Sequence, residues 1–435
     1  MIALHVGYVV VIKDLRPHPN ADRLQVATFF GCDTCVSIEA KVGDVGVYFP
    51  VDLQLSEEFC IENHMLRELP DGTKDTGYMD PVKRNVKAIK LRGEKSDGIY
   101  LPITCLGYTG AVEFHIGDTI DVVNGHEVCR KYIPRCNAPK TPKGTLPQKK
   151  IKEDIAPLFA EHVDTEQYCF NKDKFRNGDL IEVTLKMHGT SARTAHTLLN
   201  KSGNDSIMCR FLNIFRKDKK HDGKVTKEWG YVSGTRRCIL NDFSGGFYGN
   251  DEFRKQYHDY FVGKLHKGEE VYYEIVGWVN DATPIMGQGK VPKEAQKQYG
   301  DIMTFDYGCE RGKSDIYVYR MTCTNEDGDV VEYDPEYMRY RCEQMNVKTV
   351  PVFTRAIIPD NVVPAEYIDN LIALYVDGPD PVGKTYVREG VVIRIVNKPS
   401  FTAFKEKNFL FKQITGIIKD SAINADVDAD ILSEM

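Results

Sequence analysis

Four short segments in the second half of the chain carry residue types that could act together on a phosphate. The first is TLKMHGTS at 184–191. Lys186 stands there at the end of an alternating apolar run, and Gly189 allows the backbone a close approach to a ligand. The second, VYYEIVGW at 271–278, sends Tyr272, Glu274 and Val276 to one face of a strand. A carboxylate among such neighbours is desolvated unless a cation or a metal pairs with it. The third, VREGVVIRI at 387–395, sets Glu389 just before Gly390 and an apolar strand. In the fourth, FKEKNFLFK at 404–412, Lys405 and Lys407 are two apart, so a strand points both the same way. Two like charges on one face repel, and a shared anion such as a phosphate relieves that repulsion. Each segment also has an ordinary reading: a surface lysine at a strand end, a salt-bridged carboxylate, two lysines in water.

The set has a chemistry that its members lack singly. A lysine nucleophile needs its pKa lowered, which nearby cations and partial burial provide. Attack on a phosphate needs cations against the developing charge. It also needs carboxylates that hold a divalent metal, usually through water for magnesium. The order Lys186, Glu274, Glu389, Lys405, Lys407 meets that inventory.

The elements that must position these residues are legible as patterns. Residues 1–128 read as β-rich, with apolar, β-branched runs at 6–13, 24–30, 45–51, 86–91 and 99–103. Gly, Asp, Asn and Pro punctuate them, which predicts a small barrel or sandwich. Residues 130–152 hold eight Lys/Arg, four Pro and no acid, and read as a linker. Its charge either tracks a phosphate backbone or is simply solvated. From 153 onward the pattern is mixed α/β, with strands at 180–185, 270–276, 316–321 and 391–396 and an amphipathic helix at 251–265. Ile414 onward reads as a short polar tail. Its Asp426, Asp428 and Asp430 lack the Gly and the terminal Glu of a calcium loop.

Composition narrows the class. A chain of 435 residues with 42% apolar residues predicts two or three domains with filled cores. Fifty-seven basic against 63 acidic residues leave a net charge of −6, which excludes a uniformly basic nucleic-acid binder but not a local basic patch. No apolar run approaches about 18 residues, so no membrane span is expected. The first residues lack a basic n-region, so no signal peptide is expected either. Of the twelve cysteines only Cys32 and Cys35 form a C-x-x-C, without the second pair of a zinc site or the βαβ setting of a redox site. Reduced, mostly buried thiols in an intracellular protein, cytoplasmic by default, are the expectation.

The four segments, in this order and wording, resemble the covalent nucleotidyltransferases: ATP-dependent ligases and mRNA capping enzymes. DNA ligases and capping enzymes typically read K-x-D-G at the nucleophile. Here Lys186-Met187-His188-Gly189 has His in place of Asp, which looks like the nick-sealing RNA ligases. The resemblance implies that Lys186 forms a lysyl–AMP bond. It implies that Glu274 lies near the ribose and metal, that Glu389 organises the metal, and that Lys405 and Lys407 contact the α-phosphate. DIYVYRM at 315–321 looks like the strand whose aromatic stacks on adenine, with Tyr317 and Tyr319 both open for that role. VSGTRR at 232–237 resembles the segment that supplies a phosphate-binding arginine, and Arg236 is chosen over Arg237. HVDTEQ at 162–167 precedes the nucleophile as an adenine-site segment does, with Gln167 the candidate against a helix start at Asp164 or Thr165. Ser191 stands where many relatives have Asn.

PHPNADRLQV at 17–26 and LRGEKSDGIYL at 91–101 resemble segments of tRNA-binding OB domains attached to some synthetases. Lys83, Arg84, Lys87, Lys90 and Arg92 supply local positive charge there, for RNA or for solubility of a barrel edge. Only 23 residues follow Lys412, which leaves no room for the OB domain that usually ends DNA ligases and capping enzymes. The expected fold is α+β. Residues 1–129 form an OB-fold β-barrel and 130–152 a basic Pro-rich linker. Residues 153–420 form an α/β nucleotidyltransferase domain, an ATP-grasp-like ligase adenylation fold of antiparallel sheets and helices. Residues 421–435 form an acidic tail. The implied function is an ATP- and Mg2+- (or Mn2+-) dependent RNA ligase, monomeric, sealing 3′-OH/5′-phosphate nicks in duplex RNA. A GTP-using capping-type guanylyltransferase, a DNA ligase and a non-catalytic tRNA- or RNA-binding OB protein are the rival classes.

Overall fold

The computed structural model describes residues 5–51, 53–132, 155–163, 165–201, 226–236, 238–240, 243 and 251–418. Residues 133–152 of the expected linker, the 421–435 tail, Asp164 and Arg237 lie outside the described residues. The fold is mixed α+β with largely antiparallel sheets.

Two sheets dominate the second half. The first orders its strands Glu166–Gln167, Thr402–Lys407, Gly390–Ile395, Leu180–Leu185 and Val352–Ile357. All pairs are antiparallel except the short Glu166–Gln167 strand, which runs parallel to Thr402–Lys407. The alternation seen in the sequence has a direct cause. Ile181, Val183, Val391, Ile393 and Ile395 are buried against Ile368 and Ile372 of the helix Pro364–Tyr375. The second sheet orders Ile239–Leu240, Thr226–Gly234, Thr190–Lys201, Glu269–Gly277, Ser314–Thr324 and Val330–Glu332, with Lys348–Thr349 parallel to Ser314–Thr324. Val271, Tyr273 and Ile275 of its central strand pack on Phe253 and Phe261 of the helix Glu252–Phe261 and on Met338, Cys342 and Met345 of the helix Pro335–Met345.

The helix Pro335–Met345 was signalled but not expected. Asp334 caps it by accepting the Glu336 amide, Pro335 opens it, and Asn346 closes it in the left-handed region. Met338, Cys342 and Met345 recur at helical spacing. The expected tail at Ile414 needs correction. Ile414 lies inside the helix Phe409–Ile418 and is fully buried with Phe411 in the core of the second sheet, so apolar burial overrides the polar neighbours. Arg130 and Lys131, assigned to the linker, belong to the strand Cys129–Lys131 paired with Leu53–Leu55.

The first 132 residues are β-rich as expected. Among the described residues their strands pair in five separate small sheets and not in one closed barrel. Three of the connections are tight hairpins. Phe30-Gly31, Arg92-Gly93 and Asn124-Gly125 each take two left-handed residues, which fold a strand straight back on its neighbour. Between Leu55 and Ala88 only isolated bridges form, so no ladder runs round to close a ring. The strand Gly7–Val11 is buried on both faces. Val9 enters one core with Val47 and Phe49, and Tyr8 and Val10 enter another with Phe29 and Tyr48. Cys32 and Cys35 sit three apart on the strand Cys32–Ser37 and face opposite ways, so they cannot bridge without backbone movement. Among the described residues no helix is long and apolar enough to cross a membrane.

The halves meet at a mixed junction. Tyr8 stacks on Phe170 at 4.7 Å and Phe30 meets the same ring edge-on at 4.7 Å. Lys412 Nζ lies 2.5 Å from Asp97 Oδ2 and 3.7 Å from Glu406 Oε1. Burial would lower the Lys412 pKa, but Asp97, Cys32 and Glu406 outweigh it and raise the pKa well above its usual value. Asp97→Asn keeps the shape and removes the nearer counter-charge. It should destabilise the protein by about 3 kcal/mol, the usual penalty for stranding one partner of a buried pair. Urea denaturation checks this, and an unchanged midpoint would mean that Glu406 suffices alone.

Candidate active site

Lys186 follows the last residue of the Leu180–Leu185 strand, and the chain then turns through Met187, His188 and Gly189 into the Thr190–Lys201 strand. The turn therefore joins the two large sheets. Its amides are individually held. Lys186 N–H donates to Gly390 O at 3.0 Å, His188 N–H to Tyr307 Oη at 2.6 Å, and Gly189 N–H to Glu274 Oε1 at 3.1 Å. A Cβ on Gly189 would lie 2.3 Å from Ile275 O and 2.8 Å from Glu274 Cγ, so only glycine fits. Just beyond the turn, the buried Arg254 donates to Thr190 Oγ1 at 2.7 Å and to Ser191 O at 3.3 Å.

Glu389 is the electrostatic centre. It is 3% exposed. Its Oε1 lies 2.8 Å from Lys186 Nζ and 3.5 Å from Lys407 Nζ, and its Oε2 lies 3.7 Å from His188 Nδ1. Burial pushes the Glu389 carboxyl up, but Lys186, Lys407 and His188 overcome that and hold its pKa at about 2. Glu274 behaves in the opposite way. Burial pushes it to about 7 with help from the Glu389 charge, against Lys186, Arg236 and the Gly189 amide. Two carboxyls at one site are thus driven apart, one fully ionised and one poised near neutrality.

A cleft open to solvent lies between the two sheets. Lys186, Arg236 and Lys405 give it positive charge, and Glu274, Ser191, His162, Tyr319 and Phe401 also line it. Tyr319 Oη is 3.0 Å from Ser191 Oγ, and its ring meets His162 edge-on at 5.3 Å. Burial, with Arg236, Arg320, Arg193 and Lys405 nearby, drives the His162 pKa well below its usual value. Phe401 is fixed from behind: the guanidinium groups of Arg320 and Arg394 lie 4.6 and 5.2 Å from its ring centre. Both arginines bind Glu332, Arg320 through Nε at 2.9 Å and Arg394 through Nη2 at 3.1 Å. That network bridges the two sheets at the cleft.

The expected site residues separate by position. Lys186, Gly189, Glu274, Glu389 and Lys407 converge at the turn, while Arg236, Lys405 and Tyr319 face the cleft. Tyr317 does not line the cleft. The ladder slips between Tyr272 and Tyr273, so Tyr317 pairs with Glu274 and Tyr319 is left out of register. The Tyr317 ring is buried in the core, 5.6 Å from the Lys348 ammonium. Gln167 pairs through its backbone with Lys405 at the sheet edge and does not line the cleft, whereas His162 and Thr165 of the same segment do. The five basic residues of the first half do not form one free patch. Arg84 donates to Leu55 O and Pro81 O, Arg92 to Asn20 O, and Lys90 pairs with Glu294 at 3.2 Å. Lys87 is part-buried, with its pKa lowered by that burial and by the neighbouring Lys83 and Arg67. Missed altogether were Phe401, Arg320 and Arg394. The only signal for the two arginines is a charge flanked by apolar residues within a strand.

Comparison with solved structures finds RNA ligase from Naegleria gruberi. One structure, a mutant with ATP and manganese, aligns at TM-score 0.56 with 16% identity over 94% of this chain and 98% of that one. A second mutant, in the apo state, gives 0.58 and 16% over 95% and 98%. A third, with pyrophosphate, gives 0.54 and 17% over 92% and 96%. No family model matches the chain, and no curated protein matches it in sequence. The chain thus has the fold of those RNA ligases along nearly its whole length.

The two carboxyls make opposite predictions with pH. Glu389, at about 2 against an ordinary 4.5, favours the folded state above pH 4.5, and that contribution is lost as pH falls from 4.5 to 2. The loss should be on the order of 3 kcal/mol and should vanish in Glu389→Gln. Glu274, at about 7, should make stability fall as pH rises from 4.5 to 7, and Glu274→Gln should remove that slope. Urea midpoints measured across pH 2–8 check both.

Proposed function

We propose that the protein is an ATP-dependent RNA ligase that works through a lysyl–AMP intermediate on Lys186. The observation that carries this reading is the meeting of Lys186, Lys407 and Glu389 beside a cationic cleft that Lys186 also lines, in a chain with the RNA ligase fold. ATP is the first substrate. The Lys186 amine, its ammonium proton released to water in the open cleft, attacks the α-phosphorus of ATP; an N–P bond forms, the bond to the bridging oxygen breaks, and pyrophosphate leaves. AMP then passes to a 5′-phosphate on RNA, and a neighbouring 3′-OH displaces it.

The residues of the chain have separable tasks. Glu389, with its pKa at about 2, is too weak a base to take the amine proton, so its role is to hold Lys186 in place. Lys405, Lys407 and Arg236 offset phosphate charge. Tyr319 and Phe401, with His162, offer flat faces to the adenine. A divalent ion fits Glu389 and Glu274. Glu389 Oε2 is a buried oxygen without a hydrogen-bond partner among the described residues, and hard carboxylate oxygens suit magnesium or manganese. Among the described residues no three potential ligands converge, so water and phosphate would supply the remaining positions. When bound, the ion would neutralise phosphate charge. The β-rich first half, read as OB-like, would grip a nicked RNA duplex, and the protein would act as a monomer inside the cell.

Incubation with ATP and magnesium should add one AMP to Lys186, detected by mass spectrometry of the digested protein. Lys186→Ala should abolish the adduct, and Glu389→Ala should slow it by about 100-fold or more. An adduct formed with GTP alone would favour a capping-type enzyme. Sealing of nicked duplexes that vary RNA and DNA on each side would separate an RNA from a DNA ligase. No adduct with either nucleotide would leave a non-catalytic RNA binder.

A further inference from the structure

The His188 amide is fixed by a side chain that lies outside the cleft. Tyr307 accepts that N–H at 2.6 Å, is 5% exposed, and is not among the cleft-lining residues. Its backbone is left-handed at φ 54°, an uncommon conformation for an aromatic residue, so the surroundings must hold it there. They do. Asp306 receives the Gly308 and Cys309 amides, and the Tyr307 ring meets the Tyr386 ring edge-on at 5.3 Å. Tyr386 is itself closed in from behind, since a Cβ on Gly383 would lie 2.1 Å from its ring.

We propose that Tyr307 is a positioning residue of the nucleophile turn, its hydroxyl fixing the His188 amide so that Lys186 enters the cleft in one orientation. The inference rests on the reading of Lys186 as the adenylylated residue. Tyr307 does not line the cleft; it acts through the peptide two residues beyond the nucleophile. Its loss frees a buried N–H, and the turn must shift to satisfy it. A displacement of about 1 Å at a nucleophile can cost about 100-fold in rate.

The test is Tyr307→Phe, which keeps the ring and removes the hydroxyl. At saturating ATP the rate of lysyl–AMP formation should fall about tenfold or more, with KM for ATP within about twofold of wild type. Sealing of a pre-adenylated nick, in which the lysine does not react, should stay close to wild type. Wild-type adenylylation, or equal slowing of both steps, overturns the proposal. Hydrogen exchange at the His188 amide reads the same contact without any catalysis. It should speed up about tenfold in the variant, and unchanged exchange overturns the proposal whether or not the enzyme reacts with ATP. Failure of the wild-type protein to label with ATP, beside faster exchange in the variant, would instead overturn the reading of Lys186.

Discussion

One buried negative charge organises the centre of this molecule. Glu389 is almost fully enclosed, and an isolated carboxylate there would be too costly to keep ionised. It is kept so by Lys186 from one strand end, Lys407 from the paired strand and His188 from the turn between the sheets. Satisfying that single charge brings together groups that are 221 positions apart in the chain, from Lys186 to Lys407. The same demand explains how two ammonium groups tolerate each other so closely: they share one anion. Lys405 is not drawn into this arrangement and turns its charge to the cleft. The two lysines thus divide their work although they sit on one face of one strand.

A second charge network ties the two sheets together at the cleft. Glu332 on the edge strand Val330–Glu332 binds Arg320 of its own sheet and Arg394 of the other. Both guanidinium groups then lie against Phe401. Without the pairing, the two buried arginines would repel each other. With it, the aromatic wall of the cleft is tied to both sheets at once. The cleft is therefore a product of electrostatic matching across the sheet boundary as much as of apolar packing.

Local pattern carried much of this arrangement into the sequence. The runs at 180–185 and 391–396 fall within a residue of the observed strands Leu180–Leu185 and Gly390–Ile395, because their inward faces are purely aliphatic. The helix expected at 251–265 is observed as Glu252–Phe261, since Gly263 takes a left-handed turn that ends it. What failed to show was long-range. Period two alone leaves Tyr317 and Tyr319 equivalent; only a slipped register, set by the partner strand, turns one to the core and the other to the cleft. Basic residues in the first half look alike until their partners are known. Arg84 and Arg92 bind backbone carbonyls within their own half, and Lys90 finds Glu294 more than 200 positions away. Barrel closure was beyond reach for the same reason, because it depends on which edges pair and not on where strands begin.

The helix Phe409–Ile418 shows how such long-range contacts become functional geometry. Asn408 starts it, accepting the Leu410 and Phe411 amides through its side chain while its own N–H donates to Glu389 O. One turn later Phe411 meets the His188 ring edge-on at 4.8 Å, and Phe305 meets the same ring at 4.8 Å. The neighbouring Lys412 reaches the other way to Asp97. A single short helix with its capping residue thus touches the backbone of the central carboxylate, the side chain of His188 and the first half of the chain. Histidine suits this setting. An aspartate at 188 would set a second negative charge beside Glu389, whereas the imidazole brings none and packs between two aromatic edges. Phe411 and Lys412 are adjacent on that helix, so the contact with His188 and the contact with Asp97 of the first half meet at neighbouring residues.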